Sequence, residues 1–395
     1  MRKVRLLAVP LVFFASVCLI WGCSSSDSDD TVELVSSRSY SGHESDADAN
    51  HFVNVYPDTV GTRLDDCQTC HRAGVEGTDT ERIFNSCDYC HLLEFPDDRL
   101  VTGVPAGFED TLNPYGMDYY LAGRNRDALF AIENEDSDGD GFANVAEIDD
   151  LRYPGDATSK PDQPLALTVT LNRPEIDAMP WNEQFMLMNT TKQQYDDYVT
   201  YGGVTILDLL TEAGIDLTGA EGITVYAPDG FGKDFSMAEI NRIYPKGTFY
   251  MTPEFDNPEK ELVDYPPSVP EYAADGEEIP DTLRLMLALE RNGEPLIPAY
   301  YDGETGRLEE EGPYRLIMPQ KNPSRPDRGS RSEEFNDGWD FDEDIDHNAG
   351  SCVRGACVIR INPMPAGYEE FDWKNGWSLI EEEKVIIYGH GVAGN

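Results

Sequence analysis

Two pentapeptides, Cys67-Gln-Thr-Cys70-His71 and Cys87-Asp-Tyr-Cys90-His91, start twenty residues apart and share the pattern C-x-x-C-H. Two thiols at this spacing can add across the vinyl groups of a porphyrin, and the histidine that follows can ligate the iron. Each unit therefore reads as a covalent c-type haem site, with Cys67, Cys70, Cys87 and Cys90 as attachment points and His71 and His91 as proximal ligands. A zinc site or a disulfide pair is the alternative, but neither requires a histidine directly after the second cysteine of both pairs. Two haem c groups in so short a stretch constrain the fold to a small, mainly helical module in which the porphyrins supply much of the apolar core.

Haem c is attached outside the cytoplasm, and the amino terminus agrees with that. Met1-Arg-Lys-Val-Arg5 precedes a mostly apolar run from Leu6 to Trp21, the layout of an export signal over residues 1–22. The run ends at Ile20-Trp-Gly-Cys23, which resembles a bacterial lipoprotein box with Cys23 as the lipidated first mature residue; a plain signal peptide or an uncleaved anchor is the alternative. Ser24 in the next position, by resemblance to lipoproteins, implies the outer membrane, on its periplasmic or extracellular face. The expected partners are thus other periplasmic or outer-membrane redox proteins, with the membrane met through a lipid anchor.

Seventy-five acidic residues against thirty basic ones give a formal charge of −45, which disfavours nucleic acid as a partner. Such an excess suits a medium whose salt or calcium screens self-repulsion. Residues 23–50, with Ser24-Ser-Ser-Asp-Ser-Asp-Asp30 and Glu44-Ser-Asp-Ala-Asp-Ala49, have no apolar period and read as a disordered tether. The haem module is expected over 51–135.

Six-coordinate irons would need two further ligands. His51, just upstream of the first motif, is the best distal candidate; His43 in the tether and Met117 in Leu112-Asn-Pro-Tyr-Gly-Met117 are the others. A bis-histidine iron would sit at lower potential than a His/Met iron.

Asp136-Ser-Asp138-Gly-Asp140-Gly141-Phe142-Ala-Asn144-Val-Ala-Glu147 matches a twelve-residue calcium loop at positions 1, 3, 5, 6, 9 and 12. Asp136, Asp138, Asp140, the Phe142 carbonyl, Asn144 and Glu147 are the expected oxygen ligands of one Ca²⁺. Asp127-Ala-Leu-Phe-Ala-Ile132 has a helical pattern before the loop, and Pro154 limits any exit helix, so a structural clip is expected over 136–151 rather than a switch.

Tyr153-Pro-Gly-Asp-Ala-Thr-Ser-Lys-Pro-Asp162 is rich in turn formers and reads as a linker over 152–164. From 165 to 395 the chain alternates in the manner of a mixed α+β, β-rich domain. Strands are expected at Leu165–Leu171, Ile223–Ala227, Tyr314–Met318, Cys357–Ile361 and Lys384–Tyr388. A helix starting at Thr205 and stopping at Gly214 is expected between the first two, and Ser236-Met-Ala-Glu239 offers a capping box.

That order, with Gly202-Gly-Val-Thr-Ile-Leu-Asp-Leu-Leu210, Val225-Tyr-Ala-Pro-Asp-Gly230 and Gly312-Pro-Tyr-Arg-Leu-Ile317, resembles the molybdopterin-binding fold of the sulfite oxidase family. The two-haem front, Glu311-Gly-Pro313 and the segment Pro319–Arg331 resemble the bacterial proteins described as GEGP motif-containing dihaem proteins, although Glu310 replaces the first glycine of that motif. Sulfite oxidase-like enzymes hold molybdenum through a cysteine before the Gly-Gly-Val stretch. The corresponding region here, Phe185–Lys192, has none, so the resemblance implies a fold that has lost the molybdopterin cofactor.

Cys352 and Cys357 could supply a replacement thiolate or stay free, but in an oxidising compartment a local disulfide is expected. Lys321, Arg325, Arg328 and Arg331 form a basic run that suits an anion, or else pairs internally with Glu333, Glu334 or the Asp340–Asp346 run. The reading favours an electron carrier over a catalyst. A haem-linked molybdenum oxidoreductase and an anion- or partner-binding interaction protein are the alternatives.

Overall fold

Short polar side chains start most of the helices. The computed structural model describes residues 47–72, 74–75, 83–84, 105–190, 196–251, 263–302, 307–326, 344–369 and 377–390. The helices among them are α1 (Ala47–Val55), α2 (Pro114–Leu121), α3 (Arg126–Ile132), α4 (Asn144–Asp149), α5 (Arg173–Asp177), α6 (Ile206–Glu212), α7 (Met237–Ile240) and α8 (Trp377–Glu381). Asn113, Asn125, Asn172, Thr205 and Ser236 each accept a backbone N–H of the first turn of α2, α3, α5, α6 and α7, satisfying a donor that a helix start leaves over. The box expected at Ser236 is closed by Glu239, and α6 ends at Gly214 with φ +72.

The strands are β1 (Gly74–Val75), β2 (Ile83–Phe84), β3 (Thr168–Asn172), β4 (Asn182–Met188), β5 (Asp196–Thr205), β6 (Gly222–Tyr226), β7 (Gly232–Ser236), β8 (Val263–Asp264), β9 (Met286–Arg291), β10 (Glu294–Pro295), β11 (Tyr300–Asp302), β12 (Arg307–Glu309), β13 (Arg315–Ile317), β14 (Val358–Asn362) and β15 (Lys384–Gly389). A five-stranded sheet runs β3-β15-β14-β6-β7, with β14 and β15 parallel and its other pairs antiparallel. A six-stranded sheet runs β10-β9-β5-β4, with β13 beside β9 and β8 beside β5. The fold is therefore mixed α/β and β-rich, as the alternation of the sequence predicts.

Successive strand residues point to opposite faces, and the cores follow that period. Val385 and Ile387 of β15 join Ile359 and Ile361 of β14 in the core shared with Met186 and Met188 of β4 and Leu287 of β9. Ile386 and Tyr388 turn the other way, onto Leu379 and Ile380 of α8. Phe185 and Leu187, on the far face of β4, pack with Tyr198 and Phe249. The two sheets thus share one core and each carries a smaller cluster behind it.

The N-terminal helices build a separate core from Phe52, Val53, Leu64, Tyr115, Tyr119, Ala128, Leu129, Ile132, Ile148 and Tyr153, with Cys70 packed against it. Two expected boundaries move. Helix α1 begins at Ala47, so the last residues assigned to the tether are structured, and Asp48 there accepts from Tyr119 and Arg124. The segment expected as a linker is turn-rich but buries Arg152, Tyr153 and Ser159, because its polar groups find partners inside the protein. Tyr153 donates to the Arg63 carbonyl (3.1 Å) and its backbone N–H donates to Ser159 Oγ (3.0 Å).

Candidate functional site

The first C-x-x-C-H unit is a single 3-10 turn, Cys67–Thr69, in which the N–H groups of Cys70 (3.1 Å) and His71 (2.8 Å) both return to the Cys67 carbonyl. Asp66 caps it by accepting from Gln68 N (2.9 Å). The turn is fastened to the start of α2 by Asn113. Its side-chain amide donates to the carbonyls of Gln68 and Thr69 (3.0 Å each), its Oδ1 caps Gly116 N (2.8 Å), and its own N–H donates to the Cys70 carbonyl (3.0 Å). The approach is so close that a Cβ at Gly116 would stand 2.0 Å from the Cys70 carbonyl oxygen.

Hydrogen-bond direction fixes the chemistry of His71. Its Nδ1 lies 3.1 Å from Thr111 Oγ1, and that hydroxyl donates its own proton to the Phe108 carbonyl (2.7 Å). Thr111 must therefore accept at Nδ1, so the neutral ring carries its proton there and keeps the lone pair on Nε2, the form that binds a metal. Phe108 packs edge-on against the ring at 5.7 Å between centroids.

His51 on α1 repeats this arrangement. Its Nδ1 lies 3.1 Å from Tyr119 Oη, whose proton goes to Asp48 Oδ1 (2.9 Å), while Arg124 holds the other oxygen of Asp48. Nδ1 of His51 is thus also a donor, which in the neutral ring leaves the lone pair on Nε2. Tyr119 is near both histidine-bearing segments: burial, then Asp48, then Cys70 among its causes, pushes its hydroxyl well above the ordinary tyrosine range. Met117 lies half-buried on α2. His43, Cys23 and the second unit, Cys87, Cys90 and His91, lie outside the described residues.

In the acidic loop the oxygens of Asp136, Asp138 and Asp140 come within 4.8 Å of one another. Asp136 gathers the N–H groups of Gly139 (2.8 Å), Asp140 (3.1 Å) and Gly141 (3.0 Å), and Gly139 and Gly141 take φ +81 and +101, which favour glycine. Glu147 of α4 is 0 % exposed, and neither of its carboxylate oxygens has a hydrogen-bond partner; nor do Asp138 Oδ2 and Asp140 Oδ2. Burial first, then Asp138, Asp140, Asp136 and Asp156, pushes the Glu147 carboxyl up to about 9. Asn144, expected as a ligand, spends its amide structurally, donating to the Ile132 carbonyl (2.8 Å) and accepting from Ser137 N (3.3 Å). Asp156, from the expected linker, is near enough to add to the charge felt by Glu147 and Asp138, and Lys160 Nζ stands 3.9 Å from Asp140 Oδ2.

The C-terminal part holds a buried charge cluster centred on the Glu-Gly-Pro motif. Glu311 accepts from Arg315 (2.6 Å) and Arg291 (2.9 Å), Arg315 also donates to Tyr201 Oη (2.8 Å), and Arg291 pairs with Asp197 (3.2 Å). Burial opposes ionisation of Glu311, but Arg315 and Arg291 outweigh it and hold its carboxyl below the usual range. A Cβ at Gly312 would meet the carbonyls of Leu296 and Ile297 at 2.7 Å, which accounts for glycine in the motif.

The disulfide expected between Cys352 and Cys357 is not formed; both are thiols, and they belong to different cores. The intervening residues are pinned in place, since Val353 exchanges bonds with Leu316 and Ala356 N donates to the Tyr314 carbonyl (2.9 Å). Cys352 Sγ accepts from Met318 N (3.3 Å) and lies 3.9 Å from Met188 Sδ, on the strand where the family resemblance places a metal-binding cysteine. Burial pushes its pKa up, as it does that of Cys357. Cys352 is enclosed in the core with its sulfur engaged by Met318 N and Met188, so it presents no open thiolate position for molybdenum.

In the basic segment Lys321 pairs with Glu239 (2.5 Å), not with the acidic run expected, while Asp346 accepts the backbone N–H groups of Lys321 and Asn322. Arg325 is exposed, and Arg328 and Arg331 lie outside the described residues. Sequence reading missed Asn113, Thr111, Tyr119 and Asp156. Only Asn113-Pro114, a capping residue before a proline, carried a local signal. No family model, curated protein or solved structure matches the chain. Among the described residues no helix is long and apolar enough to cross a membrane.

Proposed function

We propose that the protein is an exported dihaem c-type cytochrome that passes single electrons between redox proteins of the periplasm or outer membrane, to which Cys23 would anchor it. The observation that carries this reading is the state of its histidines. His71 follows the two thiols on one turn, and its imidazole is held by a hydroxyl already committed as a donor elsewhere, so Nε2 keeps the lone pair. His51 is held in the same way, which supports it as the distal ligand. When bound, the haem supplies the redox change. The chain's contribution is to fix ligand tautomers, to pack Cys70 against an apolar core, and to place Phe108 and Tyr119 around the site.

The β-rich part serves in this account as a partner-docking or haem-environment domain without molybdopterin, since Phe185–Lys192, where the resemblance places the molybdenum-binding cysteine, has none and Cys352 is enclosed in the core. The test is haem content of the full chain matured in a host that attaches haem c. Cys67→Ala with Cys70→Ala should remove one haem of about two. His51→Ala should change the spectrum and potential of one haem while leaving both attached. Unchanged haem content in the first variant would sink the assignment of that unit, and an unchanged spectrum in the second would sink the distal assignment.

A further inference from the structure

Glu147 is fully buried with two unpartnered carboxylate oxygens, close enough to Asp138, Asp140 and Asp136 to feel their charge, and among the described residues Lys160, 3.9 Å from Asp140 Oδ2, is the cation paired with the group. Burying a carboxylate without a partner costs several kcal/mol, so the group must either hold a proton, as the raised pKa of Glu147 shows, or be neutralised by a cation, which would displace that proton. An all-oxygen donor set, largely carboxylate and carried on a flexible glycine turn, suits a hard divalent ion of calcium's size better than magnesium, which keeps much of its water.

The same residues are wired to the rest of the fold. The Glu147 carbonyl accepts the backbone N–H of Arg152 (2.7 Å), and the Arg152 guanidinium donates to Glu369 Oε2 (3.1 Å). Glu369, 2 % exposed and contributed by the β-rich part, is gripped on its other side by Arg63 (2.5 and 3.2 Å), four residues before Cys67. The guanidinium of Arg63 lies over the Tyr153 ring at 4.4 Å. Around this joint Glu369 N donates to the Pro164 carbonyl (3.0 Å) and Gln163 to the Tyr368 carbonyl (2.9 Å). Asp156 and Lys160, facing the loop, lie between Arg152 and Pro164 on the same segment.

We propose that one calcium ion binds between Asp136, Asp138, Asp140 and Glu147, with Asp156 beside it, and that through Arg152 and Glu369 it fixes the haem-motif helices against the β-rich part. The ion holds α4 and the segment behind it, and that segment presents Arg152 to Glu369, a carboxylate both parts share. This role is independent of whether haem is attached, because none of these residues belongs to a C-x-x-C-H unit.

The experiment uses the full chain, stripped with chelator and titrated with calcium chloride. Binding is read by calorimetry and unfolding by tryptophan fluorescence. After the expected signal, the tryptophans are Trp181, Trp339, Trp373 and Trp377, all beyond the loop. The expected result is one calcium per chain with Kd of about 1 mM or tighter, weaker binding of magnesium, and a calcium-dependent rise in the tryptophan-detected unfolding midpoint. Asp136→Asn, at an exposed position that does not threaten folding, should weaken binding at least about tenfold, and Glu147→Gln should abolish it. Glu369→Gln should still bind calcium but lose at least half of the rise. No binding at about 10 mM calcium would overturn the site. A rise of the same size in Glu369→Gln would overturn the coupling.

Discussion

Replacing Asn113 by alanine tests the joint between the first C-x-x-C-H turn and α2. Three bonds disappear: the cap on Gly116 and the two amide contacts to the carbonyls of Gln68 and Thr69. Loss of an asparagine cap costs about 0.5–2 kcal/mol. A buried acceptor left without a donor costs about 1–3 kcal/mol. Thr69 is buried, whereas Gln68 is half-buried and can recover water, so only the first takes the full penalty. The sum is about 2–5 kcal/mol. Asn113→Asp should recover about 1 kcal/mol of this, because it keeps the capping oxygen and loses only the amide donor. Urea unfolding of the calcium-loaded full chain, followed by circular dichroism, gives the numbers. A loss below about 0.5 kcal/mol for alanine, or no difference between the two variants, would refute the claim that this side chain holds the turn.

Gly116→Ala should destabilise by about 3 kcal/mol or more and reduce haem attachment at Cys67 and Cys70, because the obstructing atom is a backbone carbonyl that cannot swing away; haem content near the wild-type value would contradict this. Glu369→Ala should cost about 3–5 kcal/mol by leaving Arg63 and Arg152 buried without their carboxylate, which equilibrium unfolding can measure. Glu311, whose folded pKa is depressed, contributes stability above its unfolded value near 4.5 and loses that contribution as pH falls through the folded pKa. Stability of Glu311→Gln should therefore fall less steeply below about pH 4.5 than that of the wild type; parallel curves would refute the assignment. Thr111→Val keeps the shape beside His71 but removes the acceptor at Nδ1, so the potential of one haem should shift with attachment unchanged.

The β-rich architecture was legible where it depends on neighbours in sequence. The Thr205 start and Gly214 stop of α6, the Ser236 capping box, and the runs that became β6, β13, β14 and β15 each carry their cause within a few residues. The carboxylates of the acidic loop were legible for the same reason, since its turns are written in Asp-Gly spacing. Contacts between distant segments were not. Arg63 and Glu369 are 306 residues apart, and nothing local to either marks it as half of a buried pair. The Cys352–Cys357 pairing was expected from the short spacing in an oxidising compartment, whereas the turn between the two is bonded to residues 311–316 and sends each thiol into a different core. Nor was the second use of Asn144 legible: its buried amide joins the loop to the end of α3.

The most direct test of the central claim is covalent haem and iron per chain, measured on the full-length protein matured in a host that attaches haem c and can also make molybdenum cofactor. The account predicts about two haems and two irons, without stoichiometric molybdenum. Zinc in place of iron, a single haem, or one molybdenum per chain would contradict it.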